Sequence, residues 1–439
     1  MKKIKLLIVC LMFIKMGIGH AEDLLTVYQQ ALEADPQLKA AAMKVQIGAA
    51  QKGQSLGAML PQIGGNYNAS LNNQKTNASG STTKSYQGIR YTVSLTQSVL
   101  DFAKFWDWRR AQEVENQYAL ENIGAQHALM FNVVEKYFNV LEAEDELYFT
   151  NIEKETAIKQ LEQVQKQYAK QLILITDVYE VEARLDQIQA SIIEAETKLV
   201  IAKQTLKELT NSEPENLFKL RDDIEFKPLD GKLDDWIAVA KSENPLLAAQ
   251  ISAIAAANNN VSVQKSRYLP VVDMQLSYNS TNTGYQSISL GTSYDTSVAA
   301  INVTVPIFTG GATTNRMHEA QYRLSMAQYE NDSKIRALIK ETSDAFMSSN
   351  ANVKRINATK KALQSVVKAR ESLETGFRYG NQTIGEVLMA QQNEFKARRD
   401  LSVAKYAYIK NKMRFLQSIG LINEENIFEV NNWLKAFPA

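Results

Sequence analysis

The second half of this sequence echoes the first at a nearly constant offset of about 209 residues, and that duplication limits what the chain can fold into. "ALEADPQL" (Ala31 to Leu38) returns as "AKSENPLL" (Ala240 to Leu247), and "LPQIGGNYNAS" from Leu60 returns as "LPVVDMQLSYNS" from Leu269. "TQSVLD" at Thr96 faces "VPIFTG" at Val305, and "ITDV" at Ile175 faces "IGEV" at Ile384. Offsets held across four anchors are hard to produce by chance, so each element of one half should have a counterpart in the other. The repeats run over 22–230 and 231–420, with a tail at 421–439.

Each repeat opens with short helices interrupted at Asp35-Pro36 and Asn244-Pro245, where Asp or Asn can cap a helix and proline fits its first position. Alternating stretches follow, predicting hairpins over about 61–100 and 270–307. In the first, Ile63, Gly65, Tyr67, Ala69 and Leu71 share one face, and Ile89, Tyr91, Val93 and Leu95 alternate with Arg90, Thr92, Ser94 and Thr96. In the second, Val272, Met274, Leu276 and Tyr278 share a face, and Ala299, Ile301, Val303 and Val305 alternate with Asn302 and Thr304. Period two fits soluble hairpins, and equally membrane strands with apolar side chains to lipid and polar ones to a lumen. The joining segments, 72–87 and 280–297, are rich in Ser, Thr, Asn and Gly and read as external loops.

The period then turns helical and stays so, from about Phe102 to Lys170 and from about Gly311 to Tyr379. At 1.5 Å per residue, roughly 70 residues make a rod of about 100 Å. Shorter helices return over about Thr176 to Thr210 and Ile384 to Ile419. Val178, Val181, Leu185, Ile188, Ile192, Ala195, Leu199, Ala202, Leu206 and Leu209 alternate spacings of three and four, which is a coiled-coil seam. A half-length partner leaves half of the rod's stripe uncovered. The segments Pro36 to Leu60 and Leu233 to Tyr268 have the length to cover the rest, which favours a helical tube.

The first 21 residues read as a secretory leader: Lys2, Lys3 and Lys5, then an apolar run from Leu6 to Ile14 too short to span a bilayer, then Gly19-His20-Ala21 at the cleavage site. The single cysteine, Cys10, falls inside it, so the expected mature chain has no thiol. No later stretch is apolar for long enough to form a spanning helix. Export without such a helix leaves a periplasmic, secreted or outer-membrane β-barrel protein, and the leader turns the hairpins toward the last. Four strands cannot close a membrane barrel, so the chain must oligomerise. Two copies would supply eight strands and three would supply twelve, and the residues leave both counts open. A periplasmic coiled-coil adaptor or scaffold with small soluble hairpins is the competing reading.

Much chemistry is excluded. A formal net charge of +1 argues against a nucleic-acid partner. Beyond the leader only His127 and His318 remain, far apart on long helices, and no phosphate-binding loop or dinucleotide fingerprint appears. No catalytic, cofactor or metal constellation is found, and the acidic run "EAEDE" (Glu142 to Glu146) reads as solvated helix face.

"VYQQALEADPQL", "LPQIGGNY", "SLTQSVLDFAKFW", "EKYFNVLEAED", "LILITDVYEVEARLD", "VPIFTGG" and "IGEVLMAQQ", in this order behind a leader, closely resemble the TolC family of outer-membrane efflux proteins. The resemblance covers nearly all of the chain past the leader. It implies an α+β membrane protein: a homotrimer whose twelve strands form a barrel in outer-membrane lipid, continuous with a long helical barrel through the periplasm. It implies an equatorial region from Glu213 to Leu233 and the tail after Gly420. The implied function is a passive exit duct for drugs or proteins, in multidrug efflux, type I secretion or both. The implied partners are a periplasmic adaptor protein and an inner-membrane RND, ABC or MFS pump.

The resemblance also assigns residues. "YAKQLILITDV" and "FRYGNQTIGEV" are the two helix-turn-helix tips at the periplasmic end. Thr176 and Asp177 match positions that restrain the coil of the other repeat, and Glu386 takes the place of a gate aspartate. A ring of such carboxylates would favour cations, although a carboxylate there also caps the helix start. Met389 stands where a second gate aspartate would be. Phe377 replaces a tyrosine, and Gln382 replaces an arginine, that would hold Asp177. Gln382 can offer Asp177 one neutral hydrogen bond in exchange, so the closed state is expected to be less tightly locked. Gln171, Leu172, Gly380 and Asn381 form the expected adaptor-docking tips, of which only the second keeps the family's glycine.

Overall fold

The computed structural model describes residues 22–76, 82–214, 216–282 and 293–435. The leader, the centres of both predicted external loops and the last four residues lie outside these. The elements in chain order are α1 (Leu24–Ala34), α2 (Pro36–Gly57), β1 (Gln62–Thr76), β2 (Thr82–Leu100), α3 (Phe102–Ala169), α4 (Ile175–Thr210) and β3 (Lys219–Leu220). The second half continues with α5 (Leu233–Glu243), α6 (Pro245–Ser266), β4 (Val271–Asn282), β5 (Ser293–Thr304), α7 (Ala312–Arg378), α8 (Ile384–Ser418), α9 (Glu424–Asn431) and β6 (Leu434–Lys435). The two long helices have 68 and 67 residues, as the periodicity predicts. The strands reach further than the loops predicted at 72–87 and 280–297 allow. The ladder continues there with polar residues on both faces, and polar composition alone does not mark a turn.

The chain divides into two compact units, each drawing on both repeats. One unit takes 37–126 and 238–340 and holds a single antiparallel sheet in the order β1-β2-β4-β5. The inner pairing joins the two hairpins, with an irregularity between Ser98 and Leu100. Register places Ile63, Leu95, Leu276 and Ala299 in one row, and Gly65, Val93, Tyr278 and Ser297 in the next, so one face is largely apolar across all four strands. Ile63 is 74% and Ile301 73% exposed. Polar side chains of the opposite face bond each other across strands: Thr92 Oγ1 donates to Asn279 Oδ1 at 2.8 Å, and Ser98 Oγ to Asp273 Oδ1 at 2.8 Å. A soluble sheet would bury its apolar face and expose its polar one; this sheet pairs its polar face and leaves the apolar one bare. Phe102, Phe105 and Phe308, all exposed, stand at one end of the strands. In this unit α2 lies against the start of α3 through Lys52–Glu115 at 2.7 Å and Ser55–Asp107 at 2.8 Å. Gly48 permits the approach, since a Cβ there would stand 3.0 Å from Glu115 Cα. The start of α7 carries α6 through Gln250, which donates to the Ala327 carbonyl and accepts from Lys334.

The other unit takes the chain up to 36, then 127–237 and 341–439. Its core centres on Tyr137 and Phe138 with Leu24, Leu129, Leu141, Ile409, Met413 and Phe415, all buried. Tyr137 donates from one hydroxyl to the carbonyls of Glu22 and Phe218, tying the chain's early residues to the 213–233 segment. β3 pairs with β6, so that segment and the tail form one small region, and α1 joins it by packing on α4 and α9. The seam of α4 is buried at Val178, Val181, Ile188, Ile192, Ala195, Leu206 and Leu209. Among the described residues no helix is long and apolar enough to cross a membrane.

Candidate functional site

The site lies in this second unit, at the turns joining α3 to α4 and α7 to α8. The first turn closes with Leu172 N donating to Gln167 O at 3.0 Å, the second with Asn381 N donating to Gly376 O at 2.9 Å. Both need one left-handed residue, and the two fill it differently: Gly380 has φ +76°, Gln171 has φ +60°. A non-glycine side chain in that region costs about 1–2 kcal/mol, so the first turn is the strained one.

One apolar cluster holds the two turns together: Val164, Val178, Val181, Ile384 and Val387, with Leu161, Ile173, Leu373 and Leu388 against it. Phe377 packs on this cluster, an environment that suits a ring without a hydroxyl. Gly385 lies close to α4, where a Cβ would stand 3.3 Å from Glu180 Oε2.

Within one chain the polar site residues bond to their own turns. Asp177 Oδ2 accepts from its own turn, from Leu174 N at 3.2 Å. Glu386 accepts from Thr383 N at 2.8 Å and Thr383 Oγ1 at 3.0 Å, while Glu386 N donates back to Thr383 Oγ1, so it closes a capping box. Gln382 lies beside Glu386. With its amide nitrogen turned toward that carboxylate, it stands 2.7 Å from Glu386 Oε2 and 3.2 Å from Oε1. Gly376 makes room for this fold-back, since a Cβ there would meet Gln382 Cγ at 2.6 Å. Thr176, Glu386 and Met389 are exposed, as are Leu172 and Asn381.

Above the turns lies a set of contacts that sequence reading misses. Glu153 of α3, only 6% exposed, is gripped by Arg184 of α4 and by Arg399 of α8, the latter at 3.2 Å. Buried Glu394 of α8 takes Arg370 of α7 at 2.7 Å and Arg398 at 2.6 Å. Burial opposes the charge of Glu394, but the hydrogen bonds from Arg398 and Arg370 outweigh it and hold the carboxyl below its ordinary range. A cavity of about 350 Å³ beside it is lined by Tyr148, Phe149, Arg370, Glu374, Gln391 and Glu394.

The run Glu142 to Glu146 is not a solvated face. Glu142 pairs with Lys410, Glu144 with Lys203, Asp145 accepts from Tyr406 and Glu146 pairs with Lys198, so the run binds α3 to α4 and α8. Burial pushes Glu144 upward, as does Asp145, against the pull of Lys203 and Lys219. Burial, then the charge and hydrogen bond of Asp145, raise the Tyr406 hydroxyl well above its ordinary value. Descending α3 through Glu153, Asp145, Glu142 and Glu135 meets Arg399, Tyr406, Lys410 and Arg414 ascending α8. The acid spacing of α3 and the base spacing of α8 run antiparallel and match, but that match shows only once the fold has set the two helices side by side. Among the described residues no group of His, Cys, Asp or Glu is arranged to hold a metal ion.

Comparison with known proteins agrees with this geometry. The profile of the outer membrane efflux protein family matches twice, over residues 27–212 and 236–421. The Outer membrane protein TolC of Vibrio cholerae is 31% identical over 425 residues, covering 94% of each chain. The Alkaline protease secretion protein AprF of Pseudomonas aeruginosa is 26% identical, covering 93% of this chain and 86% of its own. The crystal structure of the Campylobacter jejuni CmeC outer membrane channel superposes with a TM-score of 0.81 at 18% identity, covering 94% of this chain and 90% of that one. A twice-matched profile, a duplicated helical rod and a sheet with a bare apolar face converge on one conclusion: the chain belongs to the outer membrane efflux protein family and is an outer-membrane channel.

Proposed function

We propose that three copies of this chain close their sheets into one twelve-stranded barrel and serve as the exit duct of a tripartite efflux or secretion machine. The observation that carries the reading is the four-stranded sheet, with a bare apolar face, a hydrogen-bonded polar face and unpaired edges at β1 and β5. Such edges cannot remain open in lipid, and a second copy pairing β5 to β1 would satisfy them. The exposed phenylalanines at the strand ends fit the aromatic girdle at a membrane interface. The relative described as an alkaline protease secretion protein supports protein export alongside drug efflux. Deleting the chain, then assaying drug susceptibility and protein export in parallel, tests both duties: if neither changes, the duct reading fails.

In this reading the turns of α3–α4 and α7–α8 form the periplasmic gate. Glu386 carries its charge into the pore while capping its helix, beside Met389. Thr176, Asp177, Phe377 and Gln382 restrain the turns, and Gln171, Leu172, Gly380 and Asn381 receive the adaptor that joins the duct to an RND, ABC or MFS pump. Because Gln382 is drawn to Glu386, the lock at Asp177 is weak. Single-channel recording of Glu386→Gln should show reduced cation selectivity; unchanged selectivity would remove Glu386 from the pore. Crosslinking an adaptor at Leu172 and Asn381 tests the docking tips, and failure at both would refute them.

A further inference from the structure

Among the strand residues whose side chains are described, the polar face of the sheet carries little charge. Of these residues, only Arg90 and Asp273 bring charge to it. Asp273 is matched at one end of the sheet: it accepts from Ser98 Oγ, which in turn accepts from Lys104 Nζ. Arg90 has no ion pair among the described residues, and it stands eight residues along β2 from the partner of Asp273. At about 3.3 Å per residue that is roughly 26 Å, several screening lengths at physiological salt. Its neighbours are Asn68 directly opposite on β1 and Thr281 on β4. With Ser70, Asn72 and Tyr86 they line a depression of about 220 Å³. β2 is an inner strand, paired on both sides, so joining further copies at β1 and β5 leaves this guanidinium facing the lumen.

We propose that Arg90 forms an anion-binding station on the lumenal wall of the barrel, taking carboxylate, sulfonate or phosphate groups of passing solutes. The guanidinium supplies a fixed charge and a planar set of donors. The surrounding amides and hydroxyls supply donors without a competing carboxylate. In an oligomer the station repeats around the wall and favours anions in the barrel. This inference rests on the barrel reading above.

The test uses thiol reactivity. Cys10 is the only cysteine, so a Cys10→Ser background carrying Asn68→Cys has one thiol, directly across from Arg90. Sulfonate-bearing and trimethylammonium-bearing methanethiosulfonates are applied to the purified channel in detergent. One unit charge at about 7 Å in water changes each local concentration about e-fold in opposite directions, so Arg90→Gln should lower the sulfonate-to-ammonium rate ratio roughly sevenfold at low salt. Arg90→Lys should restore most of it, and about 1 M salt should abolish the difference. A thiol that reacts with both reagents at a ratio indifferent to Arg90→Gln overturns the station and leaves the barrel standing. A thiol at position 68 that reacts with neither, while one introduced as Ile63→Cys reacts with both, overturns the barrel orientation as well. Should Arg90→Gln fail to assemble, the salt titration decides with Arg90 in place: a ratio near one at low salt refutes the proposal.

Discussion

Replacing Glu153 by glutamine should loosen α4 and α8 together while leaving the turns below them folded. The carboxylate is buried, its side chain 7% exposed, and its partners Arg184 and Arg399 are 19% and 27% exposed. Removing one member of a buried pair costs about 3–5 kcal/mol because the partner charge is stranded, whereas an exposed pair contributes about 0.2–1 kcal/mol. Here two guanidinium groups lose the carboxylate charge, and the amide that replaces it can accept from only one of them, but both retain some access to water, which places the expected cost near 3 kcal/mol. At about 1.4 kcal/mol per decade that is roughly a hundredfold increase in local opening. Backbone amide deuterium exchange reads this directly. Protection should fall about a hundredfold around Arg184 and Arg399 and stay unchanged in the apolar cluster around Val181 and Ile384. Exchange within threefold of the wild type at both arginine sites would mean that the grip on Glu153 contributes nothing beyond a surface pair. A loss spread evenly over the unit would mean that its effect is global, and the reasoning from a local clamp would fail.

Other outcomes follow from the same geometry. Gln171→Gly should stabilise the first turn by about 1 kcal/mol and Gly380→Ala should destabilise the second by a similar amount, measured as protease nicking at each turn. Because the Glu394 carboxyl sits below its ordinary range, its grip on Arg370 and Arg398 contributes fully above the ordinary glutamate value of about 4.3 and is lost as pH falls through the lowered value. The melting difference between wild type and Glu394→Gln should therefore vanish in acid; a constant difference across that range would refute the assignment. Gly48→Ala should cost about 1–3 kcal/mol by pushing α2 off α3, and Glu115→Ala should not rescue it, because the obstacles are the Glu115 Cα and the Tyr118 ring. Thr383→Ala removes one partner of the capping box and should cost about 1 kcal/mol, read as faster amide exchange at Glu386.

Read from the sequence, the duplicated elements, the helix lengths, the α4 seam and the apolar strand face all agree with the structure. Each is a local periodicity, written into neighbouring residues by the 3.6 and 2.0 repeats of helix and strand. The strand ends were less legible, because a polar lumenal face and a polar loop share one composition. The partners of charged side chains were not legible at all. Glu142 to Glu146 looks solvated on its own helix, and it becomes an interface through Lys198 and Lys203 of α4 and through Lys410 and Tyr406, which lie more than 260 residues away. The side chain of Gln382 folds back against Gly376 and beside Glu386, a placement set by the shape of the turn. The sequence determined which elements form and which faces they bury, since burial is a property of each residue type in its own period. Tertiary structure alone decided which charge meets which, because an ion pair depends on the position of a second group that local periodicity does not encode.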